Sequence, residues 1–372
     1  MEVNKTFIGE IKSLKIETIL WMAVLKWEVC RLMNKENKPK RPTLVSVAKH
    51  AGLDPSTVSR VLNGDPTQRA SGQTRDRIIE SAKTLGYRPN ILARNLRLSR
   101  SKSICIVLPQ LDNPALSNMM EGAFAACEER DYFPYLVVTP KTSTTSEILK
   151  KLEKLEHVDG VLAASFDDSA AIGLAVETLP IHTVIMNKKI AGKVNCVWID
   201  SLNAAETVCY HLLAEGHSKI GFIGGLSGGF NAEQRLEGYL SALRSFDVEI
   251  DFDLIKEVGY TFSSGYEASK VLLKNIPDLT AIFCTTLASA EGAWHGVRKY
   301  GTADQTKTVI GALHGGVMAE CLGLTVVEMP TYELGYQGAT GLIDLIEGRT
   351  ISIRKSLSPL ELRVFRDLQD LT

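Results

Sequence analysis

Residues 43–62 read T-L-V-S-V-A-K-H-A-G-L-D-P-S-T-V-S-R-V-L, and this stretch leaves the backbone few options. Leu44, Val47, Ala48 and Ala51 recur at helical spacing, which predicts a short amphipathic helix. Gly52-Leu53 then makes a turn. Asp54 suits an N-cap, and Pro55 suits the first helical position because its missing N–H would be unpaired there in any case. The second helix continues from Ser56 to Leu62 and is ended by Asn63-Gly64. Two short helices around a glycine-containing turn form a helix-turn-helix. In the second helix Val58, Val61 and Leu62 face inward, while Ser56, Thr57, Ser59 and Arg60 face out. Such a face can enter the major groove: it carries nothing bulky, and it offers one guanidinium fork for a guanine edge. An ordinary capped surface helix would show the same pattern.

A third helix is predicted from about Thr74 to Leu85, capped by Ser71, stopped by Gly86, and buried along Ile78, Ile79, Ala82 and Leu85. Next comes Y-R-P-N-I-L-A-R-N-L-R-L, residues 87–98. Pro89-Asn90 starts one more short helix, with Ala93 and Leu96 exposed between Arg94 and Arg97. An apolar side chain among arginines suits a wedge inserted between base steps in the minor groove. Alone, so short a helix is marginal, and it is expected to fold only against DNA. From Met33 to Ser103 there are 15 Lys+Arg against 5 Asp+Glu, a surplus of +10, so with a whole-chain charge of −1 the remainder carries −11. A basic block on an acidic body fits a polyanion-binding head, although a solvated basic surface would give the same count.

The run 43–64, then T-R-D-R-I, then L-G-Y-R-P-N-I-L-A-R-N-L-R closely resembles the lactose-repressor (LacI/GalR) family of bacterial regulators. The resemblance implies that Pro55, Ser56 and Arg60 face bases. It also implies that Thr43, Thr57, Ser59, Asn63, Ser71, Thr74, Tyr87 and Asn90 hold the DNA backbone, and that Ala93, Arg94 and Leu96 serve the minor groove. The loop G-D-P-T-Q-R-A-S departs from the pattern by about two extra residues, which affects the phosphate contacts around Gln68 and Arg69.

Beyond Ser103, short apolar runs alternate with amphipathic helices: I-C-I-V-L-P (104–109), Y-L-V-V (135–138), G-V-L-A-A (160–164), K-I-G-F-I-G (219–224), A-I-F-C (281–284) and K-T-V-I-G (307–311). Continuous apolar strands separated by helices imply parallel sheets covered on both faces. Two such sheets make two lobes, with ligands expected at the carboxyl ends of the strands, in the cleft between them. The resemblance covers roughly residues 41–366, through D-N-P (112–114), V-D-G-V-L (158–162), H-L-L-A-E-G-H-S-K-I-G-F-I-G-G (211–225), R-L-E-G-Y (235–239), E-L-G-Y-Q-G-A (333–339) and L-E-L-R (360–363). It implies an all-α helix-turn-helix DNA-binding head on an α/β two-lobed, periplasmic-binding-protein-like body with lobes discontinuous in sequence. The expected division is an N-terminal extension (1–40), the head (41–88), a hinge helix and linker (89–102), and an effector-binding and dimerisation body (103–366).

Within the body, Arg235 matches the arginine that commonly holds effector oxygens in the family, and Tyr260 matches an aromatic that stacks on the ligand. Asn113 follows the first strand. Phe166 and Trp198 line either the cleft or the core. Two departures stand out: Thr286-Leu287 where the family usually has Asn-Asp, and Leu313-His314 where it usually has Asp-Asp. Leucine cannot accept hydroxyl hydrogen bonds from a sugar. The effector is therefore expected to be less hydroxylated than a neutral hexose, or anionic, with His314 able to donate; the alternatives are a sugar held by other residues or a cleft that has lost binding.

The seven cysteines, Cys30, Cys105, Cys127, Cys196, Cys209, Cys284 and Cys321, are scattered and include no C-x-x-C, which points to buried free thiols in a reducing cytoplasm. The histidines show no metal spacing, and no cofactor is expected. Residues 16–33 are apolar-rich but carry Glu17, Lys26, Glu28 and Arg31, too many charges to span a bilayer. They read as an amphipathic helix, a flexible extension or a stretch upstream of the natural start, with a start at Met33 favoured.

An enzyme is the rival class. Yet G-G-L-S-G-G (224–229) lacks the P-loop lysine and the dinucleotide spacing, and no catalytic residues can be assigned. A periplasmic solute-binding protein would share the body, but it would need a signal peptide and would not carry the head. The expectation is a cytoplasmic, nucleoid-associated homodimer. It would read a pseudo-palindromic double-stranded DNA operator under control of a small-molecule effector, a sugar or related metabolite. Repression is the family default, and activation is the alternative. No long heptad tail follows to support a tetramer.

Overall fold

The computed structural model describes residues 42–62, 70–87, 101–108, 114–139, 147, 150, 157–164, 176–177 and 179–365. The chain divides into two compact units, residues 1–94 and 95–372.

In the first unit, α1 (Leu44–Ala51), α2 (Pro55–Leu62) and α3 (Gly72–Thr84) form the head. Each is started by a local cap. The Thr43 hydroxyl accepts from the Ser46 N–H at 3.2 Å, while the Thr43 N–H donates to Ser46 Oγ at 2.8 Å, a reciprocal capping box. Gly52 closes α1 with φ +62°, a left-handed conformation that glycine adopts without Cβ strain. Ser71 Oγ accepts from the Thr74 N–H and starts α3 at Gly72, two residues before the predicted Thr74. Val47, Ala48, Ala51, Val58, Ile78 and Ala82 make the core, with Leu44, Leu53, Val61, Leu62, Leu85 and Tyr87 packed around it. Each fully buried Val or Ile contributes about 1.5–3 kcal/mol. Ile79 corrects the predicted buried face. It stands 51% exposed, and Ser81 takes an inner position at 4%. One residue is 100° of helix rotation, so Ile78 and Ile79 cannot both point at so small a core.

The second unit holds two six-stranded sheets. In lobe I the order is β11 (Arg354–Leu357), β5 (Asn195–Ile199), β4 (His182–Met186), β3 (Gly160–Ala163), β1 (Ser103–Leu108), β2 (Phe133–Val138), all parallel. In lobe II it is β12 (Leu362–Val364), β10 (Thr325–Val327), β9 (Val309–Leu313), β8 (Ala281–Cys284), β6 (Ile220–Gly224), β7 (Ile255–Glu257), parallel except for β12 against β10. Among the described residues, the helices of this unit include α4 (Pro114–Glu129), α5 (Ser201–Ala214), α6 (Phe230–Ser245), α7 (Phe262–Asn275), α8 (Leu287–Tyr300), α9 (Val317–Cys321) and α10 (Thr331–Ile346). The chain crosses between lobes three times: after β5, after β10 and between β11 and β12. The crossing segments are bonded to one another, Asp200 N to Leu357 O at 2.9 Å and Leu360 N to Glu328 O at 2.8 Å. The lobes are thus discontinuous in sequence, as expected.

In lobe I, Ile104, Ile106, Leu162, Val184 and Met186 join α4 and α10 in one apolar cluster. In lobe II, Ile223, Ile282, Cys284, Ile310 and Ala312 form another with α7 and α8. The run 135–138 does form a strand, but it lies at a sheet edge, and Leu136 and Val138 are exposed instead of covered on both faces. The run 307–311 begins as a 3₁₀ turn at Gln305–Lys307, so its strand extends to Leu313. Cys105, Cys127, Cys196, Cys209 and Cys284 are buried free thiols, whereas Cys321 is exposed, contrary to the expectation for scattered cysteines; Cys30 lies outside the described residues. Burial pushes the Cys105 thiol up to about 11 and that of Cys127 to about 12, so neither is a ready nucleophile. No helix among the described residues is long and apolar enough to cross a membrane.

Candidate DNA-reading face and effector site

On α2, Pro55, Ser56 and Arg60 are exposed, while Thr57 and Ser59 are half-buried. Asp54 caps the helix: its Oδ2 accepts from the Ser56 N–H at 2.8 Å and from the Ser56 hydroxyl. These bonds, the hydroxyl's first, hold the Asp54 carboxyl below its ordinary range. The chemical consequence concerns Ser56. Its one hydrogen is spent on Asp54, so outward it presents lone pairs only. The exposed face therefore offers an apolar ring at Pro55, an acceptor at Ser56 and a forked donor at Arg60. Thr43 and Ser71 are helix caps, Thr74 Oγ1 lies 2.9 Å from Ser71 Oγ, and Tyr87 packs on the head core. Asn63, Asn90, Ala93, Arg94 and Leu96, with Gln68 and Arg69, lie outside the described residues.

In lobe II, residues from four adjacent strand ends converge. Arg235 sits on α6, the helix that follows β6, and is only 5% exposed. Its Nη1 donates to the carbonyl of Thr285, directly after β8, at 3.0 Å. Its guanidinium lies 5.8 Å from the centroid of the Tyr260 ring, which follows β7. Gly225, directly after β6, makes room for that ring: a Cβ there would come within 2.1 Å of the Tyr260 hydroxyl. His314 follows β9 with φ +68°, a strained left-handed backbone for a histidine, and its N–H donates to Val327 O at 3.0 Å. Burial first, and the Arg235 charge second, push its imidazole down to about 3, so it is neutral near pH 7. Thr286 lies beside this group but uses its hydroxyl locally. It caps α8 by accepting from the Ser289 N–H at 3.3 Å, and it donates to Tyr260 O at 3.3 Å.

Among the described residues, two polar atoms at this site have no hydrogen-bond partner, Arg235 Nε and the Thr285 hydroxyl. Leaving such groups buried and unpaired would cost about 1–3 kcal/mol each, so a partner for them, water or ligand, is favourable here. Sequence reasoning missed Thr285, although it follows the run A-I-F-C, the position where an α/β sheet presents ligand-binding residues. It also missed Asn231. This residue of α6 donates from Nδ2 to the carbonyl of Asn187 at 2.7 Å and accepts from the Ser201 hydroxyl at 3.2 Å. Asn187 directly follows β4 in lobe I, so this bond joins the carboxyl edges of the two sheets.

Trp198 is half-buried and packs against the apolar cluster that contains Ile185 and Cys196, with Lys189 Nζ 5.6 Å from its ring centroid. Asn113 and Phe166 lie outside the described residues. Where the linker joins the body, Asp159 accepts from the Ser101 N–H at 2.7 Å and the Lys102 N–H at 2.8 Å, fastening the first residues of lobe I.

Comparison with known proteins agrees with this architecture. Residues 101–366 match the periplasmic binding proteins and sugar binding domain of the LacI family, and residues 43–90 match the bacterial regulatory proteins of the lacI family. The chain is 28% identical over 321 residues to the HTH-type transcriptional regulator CelR of Thermobifida fusca, covering 84% of this chain and 94% of that protein. It is 30% identical over 306 residues to the HTH-type transcriptional regulator DegA of Bacillus subtilis (strain 168), covering 79% and 88%. Among solved structures, the CelR–cellobiose complex superposes with a TM-score of 0.65 at 27% identity, over 88% of this chain and 100% of that one. The lac repressor dimer bound to operator and the anti-inducer ONPF superposes at 0.77 over 88% and 99%, and at 21% identity it speaks for the fold alone. The relatives are transcriptional regulators, and the matches span both units of this chain: it belongs to the LacI family of bacterial transcriptional regulators.

Proposed function

We propose that this chain is a repressor that binds a pseudo-palindromic DNA operator as a homodimer and is switched by a small molecule at the Arg235 site. The observation that carries this reading is the pairing, in one chain, of an exposed Pro55–Ser56–Arg60 face on a capped second helix with a ligand-ready site at Arg235 and Thr285. Pro55, Ser56 and Arg60 read bases. Thr43, Thr57, Ser59, Asn63, Ser71, Thr74, Tyr87 and Asn90 hold phosphates, and Ala93, Arg94 and Leu96 enter the minor groove. Two-fold symmetry in the protein is then mirrored in the operator. Arg235, Tyr260, Thr286 and His314, with Asn113, Phe166 and Trp198, form the effector site; an effector acts by binding two lobe arrangements unequally. The chain works by binding and not by catalysis, in the cytoplasm.

The test is selection from a pool of random duplexes by the purified protein, followed by sequencing. Recovery of a palindrome, together with a dimer by sedimentation velocity, is the expected result. Recovery of asymmetric sites bound by a monomer would overturn the dimeric reading.

A further inference from the structure

The charge around Arg235 specifies the effector more closely than the fold does. The guanidinium is almost wholly buried, and among the described residues no carboxylate pairs with it. Its contacts are the Thr285 carbonyl, the Tyr260 ring and the neighbourhood of His314. Burial draws it below its ordinary value, and Tyr260 opposes that pull, yet arginine keeps its proton. A buried charge without a counter-ion is costly, and proteins pair such charges or hold them for a ligand. At the end of β9, Leu313 is fully buried and apolar and His314, which follows it, is neutral, so neither supplies a negative charge. The geometry of the guanidinium is as informative as its charge. One Nη1 hydrogen goes to the Thr285 carbonyl, whereas neither Nε nor Nη2 donates to a described residue. Nε and Nη2 together are the edge that grips two oxygens of an oxyanion, and the hydroxyl of Thr285, the residue whose carbonyl takes Nη1, is a second buried donor with no partner among the described residues.

We infer that the effector is an anion: a small polyhydroxylated molecule whose carboxylate or phosphate oxygens are held by the Nε–Nη2 edge of Arg235 and the hydroxyl of Thr285. This deepens the proposed function, since it rests on the same site, and it departs from a neutral sugar. The carboxylate is the closer match, because one guanidinium beside a neutral imidazole offers a single positive charge. Tyr260 lies along the guanidinium and is 39% exposed, a surface on which the carbon skeleton can rest.

The experiment is thermal unfolding of the full chain in matched pairs of ligands: glucose against glucuronate and gluconate, galactose against galacturonate, glucose against glucose 6-phosphate. Inorganic phosphate, sulfate and acetate are added as bare probes against chloride at constant ionic strength. The expected result is a rise in Tm of about 5 °C or more for at least one acid at a concentration roughly 100-fold above its Kd, with no rise for its neutral counterpart. Uronate without phosphate identifies the carboxylate, and sugar phosphate without uronate identifies the phosphate; either upholds the oxyanion. Two variants guard against misfolding. Arg235→Gln removes the fork. His314→Asp supplies an internal carboxylate at a left-handed position that aspartate tolerates, and it should abolish the anion response while the protein remains folded and bound to DNA. Equal shifts for neutral and acidic partners would overturn the inference and leave the regulator reading intact. The inference also falls if no anion, bare probes included, stabilises the wild type more than the Arg235→Gln variant, since the charge would then be met within the chain. Loss of sequence-selective DNA binding by the wild type would instead strike the regulator reading.

Discussion

Asn231 of lobe II donates a 2.7 Å hydrogen bond to the backbone carbonyl of Asn187 in lobe I, and this bond ties the two sheet edges together beside Arg235. Because the acceptor is backbone, only the Asn231 side chain can be removed. One such bond contributes about 1 kcal/mol, so Asn231→Ala should lower the closed population about fivefold. Asn231→Asp keeps the acceptor for Ser201 but loses the donor, and it should behave alike. Small-angle scattering of the effector-free protein would show a larger radius of gyration in both variants; an unchanged radius would show that this bond does not hold the lobes together.

On the head, Arg60→Ala should cost about 1–3 kcal/mol of discrimination at one guanine and little elsewhere. Ser56→Ala should act at a different base, one whose exocyclic amine donates to the Ser56 lone pairs, such as cytosine or adenine, because the Ser56 hydrogen is already given to Asp54. Binding measured across single-base operator variants would separate the two; the same base affected by both would contradict the assignment.

Leu96→Ala should weaken operator binding more than binding to random DNA, since only the specific complex uses the wedge. Both affinities should fall steeply with salt, by about 10³-fold or more between about 50 and about 200 mM for the wild type. Titration of both duplexes is the check. Equal losses on the two would count against the wedge.

His314 makes stability fall with acid. The folded protein holds its imidazole down to about 3, while the unfolded chain protonates it near the ordinary 6.5. Between those values the unfolded state binds the extra proton, so this contribution to stability is present above about pH 6.5 and is lost as pH falls toward about 3. His314→Asn, which tolerates the left-handed backbone, should flatten that part of the curve. Unfolding midpoints from about pH 7 down to about pH 4, wild type against variant, would decide it.

Gly225→Ala should drive the Tyr260 ring off Arg235, because the added Cβ falls within 2.1 Å of the tyrosine hydroxyl. Effector-induced stabilisation should drop at least tenfold in ligand affinity, about 1.4 kcal/mol, while operator binding without effector is retained. Unaltered effector binding would show that Tyr260 plays no part in holding the ligand.

The head was legible in the sequence because its determinants are local. The Thr43–Ser46 box, the Asp54 cap, the Gly52 turn and the Ser71 cap each act within a few residues, so spacing alone places three helices and the outward face of α2. The same rules put Ile79 inward, and only packing against α1 and α2 turned it out. In the body, apolar runs announced parallel sheets, but strand order, the exposed edge at β2 and the three crossings depend on which strands meet. The effector site shows the division most clearly. Arg235 stood out by its place in R-L-E-G-Y; Thr285, fifty residues away, had no signal of comparable strength until the fold brought its carbonyl onto the guanidinium. A residue's identity is written in the chain, whereas its burial, and the lack among the described residues of a counter-ion or an Nε partner, arise from neighbours distant in sequence, and these decide what the site can hold.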